Sequence, residues 1–221
     1  MAELLRHRWD LEPSAGISLQ HELAGLLDLS PLTKPVRSIA GIDVSIRHDV
    51  AHAAVVVMSC PDLVILEQST ARAAVGYPYV PGLLSFREAP TILEAYAALA
   101  SRPDLLMFDG NGYAHPRRLG IASHLGLWLG VPAIGCAKSR LLGSYQEPEQ
   151  ERGAWTPWLD GEEIIGAVVR TRTAVSPVFV SAGHLINLQQ AIQYVFKTCT
   201  RYRLPEPVRQ AHRVSTRFQV E

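Results

Sequence analysis

Two short apolar runs of this chain each carry one carboxylate. Asp43 interrupts Ile39-Ala40-Gly41-Ile42-Asp43-Val44-Ser45, and Asp109 closes Leu105-Leu106-Met107-Phe108-Asp109-Gly110. A lone ionised acid is costly to bury in a strand-like segment, so the fold must give each of them a polar outlet or a partner. A third acid, Glu88, follows a proline-restricted loop in Pro78-Tyr79-Val80-Pro81-Gly82-Leu83-Leu84-Ser85-Phe86-Arg87-Glu88. If the three meet, their repulsion calls for a cation, and oxygen ligands suit a hard divalent metal. Unit charges about 4 Å apart interact by roughly 4 kcal/mol at an effective dielectric of about 20. Clustered carboxylates without a cation would therefore push some pKa values up sharply. Three unrelated surface acids are the bland alternative.

The runs around these acids define the architecture. Pro13–Ser30 reads as a helix capped by Ser14, with Ile17, Leu19, Leu23, Leu26 and Leu27 as its apolar stripe. Three closely linked strand-like runs follow, at Ser38–Ser45, Ala51–Met58 and Leu63–Ala71, which suggests an antiparallel meander. The pattern then alternates: helix at Thr91–Ser101, strand at Asp104–Asp109, helix at Arg117–Leu129 and strand at Val131–Ala137. Strand–helix–strand alternation implies parallel neighbours. Gly161–Thr171 and Pro177–Ala182 form a further strand pair, Asn187–Thr200 is a closing helix, and Ser144–Gly161 is an exposed excursion. The expectation is one α/β domain over residues 1–221, with a mixed central sheet flanked by helices. Asp109 then stands at the carboxyl end of a strand parallel to that of Asp43, where open α/β sheets bind ligands.

Composition narrows the partners only slightly. Twenty-one basic residues balance 21 acidic ones, so bulk charge names no partner. Arg87, Arg117, Arg118, Lys138 and Arg140 lie close to the acids in sequence and leave room for a basic groove. The alternative is a scattering of solvated arginines. Cys60, Cys136 and Cys199 are widely spaced and lack any Cys-x-x-Cys pair, which argues against a disulfide framework or a zinc site and agrees with a reducing compartment. Met1–Asp10 carries no apolar targeting segment, and no stretch approaches the roughly 20 apolar residues of a membrane span. A cytoplasmic protein without a membrane partner is expected.

Pro78-Tyr79-Val80-Pro81-Gly82, Phe86-Arg87-Glu88, Asp109-Gly110-Asn111-Gly112 and His115-Pro116-Arg117-Arg118-Leu119-Gly120 occur in this order. Gly135-Cys136-Ala137-Lys138 and Arg203-Leu204-Pro205-Glu206-Pro207 come after them. Together they closely resemble the endonuclease V family of deoxyinosine repair nucleases, from about Ala40 to His212. The resemblance implies an RNase H-like fold. It makes Asp43, Glu88 and Asp109 the catalytic metal ligands for Mg²⁺, with Mn²⁺ as a substitute. It adds Lys138, near the metal centre, and His212, at a position that varies between His and Asp. On their own, Lys138 would be a surface ion pair and His212 a surface residue. The implied reaction is metal-ion hydrolysis of the second phosphodiester 3′ to deoxyinosine, leaving 3′-hydroxyl and 5′-phosphate ends. Carboxylate acid–base catalysis alone supplies only about 10²–10⁴-fold, well short of the roughly 8–23 kcal/mol that enzymes reach.

Tyr79 would be the wedge beside the flipped base, held ready between Pro78 and Pro81. Leu84, Gly110, Gly112, Ile121 and Gly135 would form the hypoxanthine pocket, unless some of them are turn glycines and core aliphatics. His115 binds phosphate or base-adjacent groups, or else caps the helix near Pro116. Asn111 stands where many bacterial relatives carry His; metal binding should survive the change, while base contacts or RNA preference could differ. The expected partner is single- or double-stranded DNA containing deoxyinosine, acted on by a monomer. Inosine-specific cleavage of RNA and non-catalytic lesion binding are the alternatives.

Overall fold

The computed structural model describes residues 4–217; residues 1–3 and 218–221 of the expected 1–221 span lie outside them. A 3₁₀ turn (Leu4–Arg6) precedes helix α1 (Pro13–Ala24). Strands β1 (Ser38–Arg47), β2 (Val50–Ser59) and β3 (Ile65–Ala74) follow, then α2 (Leu84–Ala97), β4 (Leu105–Phe108), α3 (Ile121–Leu129) and β5 (Ala133–Ala137). The chain continues through β6 (Ser144–Tyr145), β7 (Trp155–Asp160), β8 (Glu163–Val169), β9 (Val178–His184), α4 (Leu188–Thr198) and α5 (Glu206–Ser215). All the strands join one sheet in the order β3-β2-β1-β4-β5-β9-β8-β7-β6. β1, β2 and β3 form the expected antiparallel meander, and β1, β4 and β5 run parallel. This is the RNase H-like core, continued on one side by antiparallel β9 and β8.

Strand alternation sorts the β1 side chains between two layers. Ala40 and Ile42 face a core shared with Ala89, Ile92 and Ala95 of α2 and with Ala122 and Leu125 of α3. Ile39 joins Leu105 and Met107 in the opposite core, against Ala191, Ile192 and Val195 of α4 and Val208 of α5. Gly41 shares that second face, and a Cβ there would lie 1.9 Å from the Pro207 carbonyl oxygen. Helix α5 therefore rests directly on the β1 backbone. Among the described residues no helix is long and apolar enough to cross a membrane. Cys136 and Cys199 are buried, Cys60 is half-buried, and all three are free thiols.

Several boundaries differ from expectation for identifiable reasons. Helix α1 ends at Ala24, and its N-cap is Glu12 ahead of Pro13, so Ser14 does not cap it. Helix α2 begins at Leu84 rather than Thr91 and runs through Pro90. Burying Phe86, Ala89, Ile92 and Ala95 outweighs the roughly 3 kcal/mol cost of an interior proline. Helix α3 starts four residues later than expected, because Arg118 adopts a left-handed φ of 58° and Gly120 is extended. The supposed excursion at 144–161 instead holds β6 and β7, which pair with each other, and β7 pairs in turn with β8. Trp158 anchors it, fully buried, with its indole N–H donating to the Leu142 carbonyl at 2.7 Å. Helix α5 was not foreseen at all.

Candidate active site

The chemistry gathers at the carboxyl ends of the parallel strands. β1 and β4 pair Ile42 with Phe108, which brings Asp43 and Asp109 side by side on the α5 face. The Asp109 N–H donates to the Ile42 carbonyl at 3.0 Å and ties the two strand ends together. Helix α5 contributes His212, whose Nδ1 lies 3.2 Å from Asp43 Oδ2. Ser215, one turn further on, donates its hydroxyl to the same carboxylate oxygen. Donor atoms of Asp43, Asp109 and His212 all lie within 4.8 Å of one another. Lys138 follows β5, and its Nζ donates to Asp109 Oδ2 at 2.5 Å.

Glu88 reaches the centre from α2, on the other side of the sheet. It stands outside the tightest group of donors, yet its pKa is pushed up to about 8, first by burial and then by Asp43 and Asp109, against the opposing pull of Arg87. Burial also raises the pKa of Asp43; the bond from Ser215 opposes the rise, Asp109 adds to it, and His212 opposes it. Burial and neighbouring like charges both disfavour the ionised carboxyl, and a cation would offset both. Carboxylate oxygens and one imidazole at this spacing suit a divalent metal. Asp43, Asp109 and His212 could hold it, with Glu88 beside them.

A cleft of about 150 Å³ adjoins the acids, lined by Tyr79, Leu84, Gly110, Asn111, His115 and Ile121 among others. Tyr79 stands 73% exposed at its rim, available to touch a partner. Gly112 and Gly135 stand behind the wall rather than in it. A Cβ on Gly112 would lie 2.3 Å from the Ala182 carbonyl oxygen, and one on Gly135 would lie 2.4 Å from the Gly112 nitrogen. These two glycines let the Asp109–Gly112 turn stack against β5 and β9.

His115 is a clamp in this structure. Its Nδ1 accepts from the Arg117 N–H at 3.2 Å, which leaves Nε2–H to donate to the Gly82 carbonyl at 3.0 Å. Burial, with Arg117 adding to it, lowers its pKa to about 4, so the ring is neutral at pH 7. Gln20 Nε2 at 3.0 Å and the Arg117 guanidinium at 2.8 Å donate to the same carbonyl. Gly82, at φ 80°, thus fixes the base of the Tyr79 loop through three donors. The arginines expected to line a groove are dispersed: Arg87 binds the Tyr77 carbonyl, Arg118 pairs with Asp160 and Glu163, and Arg140 binds the Gly143 carbonyl. Lys138 alone of the five bonds to a carboxylate of the centre.

Ser215, Gln20 and the carbonyl-binding role of Arg117 were missed from sequence. Only Ser215 left a signal: Pro207, Val208, Ala211 and Ser215 are buried on one face of α5, a helical spacing that also carries His212 towards Asp43.

A sequence model of endonuclease V matches residues 21–213. The chain belongs to the endonuclease V family. It is 48% identical over 219 residues to the endonuclease V of Gloeobacter violaceus, covering 97% of this chain and 89% of that protein. The crystal structure of Streptomyces avermitilis endonuclease V superposes with a TM-score of 0.91 at 40% identity, over 95% of this chain and 93% of that one. Ciona intestinalis endonuclease V, solved with a 24mer DNA containing an inosine followed by a ribo-adenosine, matches at a TM-score of 0.78 and 29% identity over 91% of this chain and 95% of that one. Membership of the endonuclease V family makes the chain a nuclease.

Proposed function

We propose that this nuclease recognises deoxyinosine in DNA and hydrolyses the second phosphodiester 3′ to it, leaving 3′-hydroxyl and 5′-phosphate ends. The observation that carries the reading is the adjacency of a carboxylate centre and a mostly apolar cleft, joined by the consecutive residues Asp109, Gly110 and Asn111. Two neighbouring compartments suit a reaction in which the flipped base and the scissile phosphate are held apart. The Ciona relative bound to inosine-containing DNA supports the same substrate class.

Asp43, Asp109 and His212, with Glu88, would hold Mg²⁺ or Mn²⁺. When bound, the metal supplies activation of water and neutralisation of charge on the phosphate. Ser215 and His212 keep the Asp43 carboxylate in one orientation, so little reorganisation is left for the reaction. Burial first, then Asp43 and Asp109, raise the Glu88 pKa to about 8, and a cation held beside it would favour its ionised form. Lys138 places a cation beside Asp109, where negative charge builds up on a phosphate. Tyr79 enters the space of the extruded base; unstacking costs least at a damaged or mispaired site, which favours lesions. The working unit is a monomer with one domain, in the cytoplasm.

The test is an end-labelled duplex with a single deoxyinosine, incubated with Mg²⁺ or EDTA and mapped beside a matched inosine-containing RNA. A metal-dependent nick at the second 3′ bond of the DNA supports the proposal. Cleavage of the RNA alone would make the chain a ribonuclease, and tight binding without a nick would make it a lesion-binding module.

A further inference from the structure

We propose that His7 is a positioning residue for the metal centre: through His124 and Ser85 it fixes the first turns of α2, and with them Glu88. The inference rests on the proposed role of Glu88 at the metal and extends it to the N-terminal segment.

Helix α2 is weakest where it carries Glu88. It starts at Leu84 without a side-chain cap, and Pro90 has no N–H to return to the Phe86 carbonyl. The turns that hold Ser85 and Glu88 therefore lie between a bare end and a missing rung, and their support comes from outside the helix. Ser85, one turn ahead of Glu88, is 2% exposed, and its hydroxyl lies 2.8 Å from Nδ1 of His124 in α3. His124 is buried as well, and its Nε2 lies 2.8 Å from Nε2 of His7. Trp9 of the same N-terminal segment packs edge-on against Phe86, with ring centroids 5.8 Å apart, and against His124 at 4.8 Å.

The chain of bonds has one direction. His7 Nδ1 lies 2.9 Å from the Arg8 carbonyl oxygen, which can only accept, so that nitrogen carries the hydrogen. Burial lowers the pKa of both imidazoles, and Nε2 of a neutral His7 is an acceptor. His124 then carries its hydrogen on Nε2, donates it to His7, and keeps Nδ1 free to accept the Ser85 hydroxyl. Every donor in the series finds an acceptor in this order. Without the His7 acceptor, either tautomer of His124 leaves a ring nitrogen unpaired in the core, which is disfavoured. The ring must shift to find a partner, and Ser85 and the turn bearing Glu88 move with it. Asp43 and Asp109 stand on strands and His212 on α5, so Glu88 is the member of the centre that feels the change.

The experiment measures Mn²⁺ affinity by calorimetry and single-turnover cleavage of a deoxyinosine duplex. Wild type is compared with His7→Leu, His7→Gln, Ser85→Ala and the double variant of His7→Leu with Ser85→Ala, and Glu88→Gln is the reference. His7→Leu keeps an apolar contact but offers no acceptor. It should weaken Mn²⁺ binding and slow cleavage by about tenfold each, the lower end of the effect of groups that support metal ligands. His7→Gln, whose Oε1 can take the His124 N–H, should restore both. Ser85→Ala breaks the chain at its other end with less loss of packing and should match His7→Leu, and the double variant should lose no more than either alone. A lowered thermal midpoint with metal affinity and rate unchanged would reduce His7 to a packing residue and overturn the inference. Equal losses in His7→Leu and His7→Gln, or additive losses in the double variant, would overturn it too. The metal role of Glu88 survives any of these results as long as Glu88→Gln weakens Mn²⁺ binding; if Glu88→Gln binds Mn²⁺ like wild type, both fall.

Discussion

Gly41→Ala should damage the centre without touching a functional side chain. The new Cβ would stand 1.9 Å from the Pro207 carbonyl oxygen, 2.1 Å from its carbon and 2.7 Å from the Val208 nitrogen. All three are backbone atoms at the start of α5, so no side chain can swing aside. Restoring even the 3.0 Å that real Cβ contacts reach takes a displacement of about 1.1 Å. Helix α5 carries His212 and Ser215, whose bonds to Asp43 depend on its distance from β1. Overpacking plus loss of a hydrogen bond to a carboxylate should cost about 2–4 kcal/mol. That corresponds to a midpoint lowered by roughly 4–16 °C for a domain of this size. A catalytic group misplaced by about 1 Å costs on the order of 10²-fold in rate. Thermal unfolding in EDTA and single-turnover cleavage of a deoxyinosine duplex measure both effects. A wild-type midpoint would refute the close packing of α5 on β1. A lowered midpoint with an unchanged single-turnover rate would refute the dependence of Asp43 on His212 and Ser215.

Asp43→Ala should abolish metal-dependent cleavage while the circular dichroism spectrum stays native, since it deletes a buried acid whose charged form is already disfavoured; full activity with Mg²⁺ would sink the metal-centre assignment. Gln20→Ala removes one of three donors on the Gly82 carbonyl. It should raise KM for deoxyinosine duplexes several-fold and leave Mn²⁺ affinity by calorimetry unchanged, because the Tyr79 loop loosens while the acids do not move. His115 makes stability depend on pH. Its folded pKa of about 4 lies below the unfolded value of about 6.5, so below pH 6.5 the unfolded chain takes up a proton that the folded one refuses. Its contribution is complete above pH 6.5 and is lost as pH falls towards 4, by about 3 kcal/mol in all. Urea titrations of wild type and His115→Gln should show a shallower acid decline in the variant, and parallel curves would contradict a neutral buried ring.

The sequence disclosed the strands more faithfully than the helices, for reasons visible residue by residue. β1, β2 and β4 are buried on both faces over most of their length, and their apolar runs, interrupted by Asp43 in β1 and His52 in β2, still read as strands. Pro90 read as a stop, although it sits where the buried face of α2 holds the helix together. Helix α5 escaped notice because it buries only Pro207, Val208, Ala211 and Ser215 among polar neighbours. The acids stood out because isolated charges in apolar runs demand an explanation. The clamp on Gly82 left no trace, since its donors lie 62, 33 and 35 residues from the carbonyl they share. Contacts to a backbone oxygen depend on where the chain folds, and no side-chain pattern marks that oxygen in advance.

The two compartments are built on opposite electrostatic terms. In the acid centre burial first, with repulsion between the acids adding to it, raises Glu88 to about 8 and Asp43 as well. A cation that binds the folded state alone would add stability there in proportion to RT ln(1 + [M]/Kd). The cleft is neutral and over-determined, with His115 uncharged and the Gly82 carbonyl saturated by donors. Asp109 belongs to the first compartment and Asn111 to the second, with only Gly110 between them. On the proposed deoxyinosine reading, that spacing would keep a bound metal's charge at a distance from the base. It also means that a shift of this one turn would disturb cutting and recognition together, which is why Gly112, Gly120 and Gly135 hold it so closely against the strands and α3 behind it.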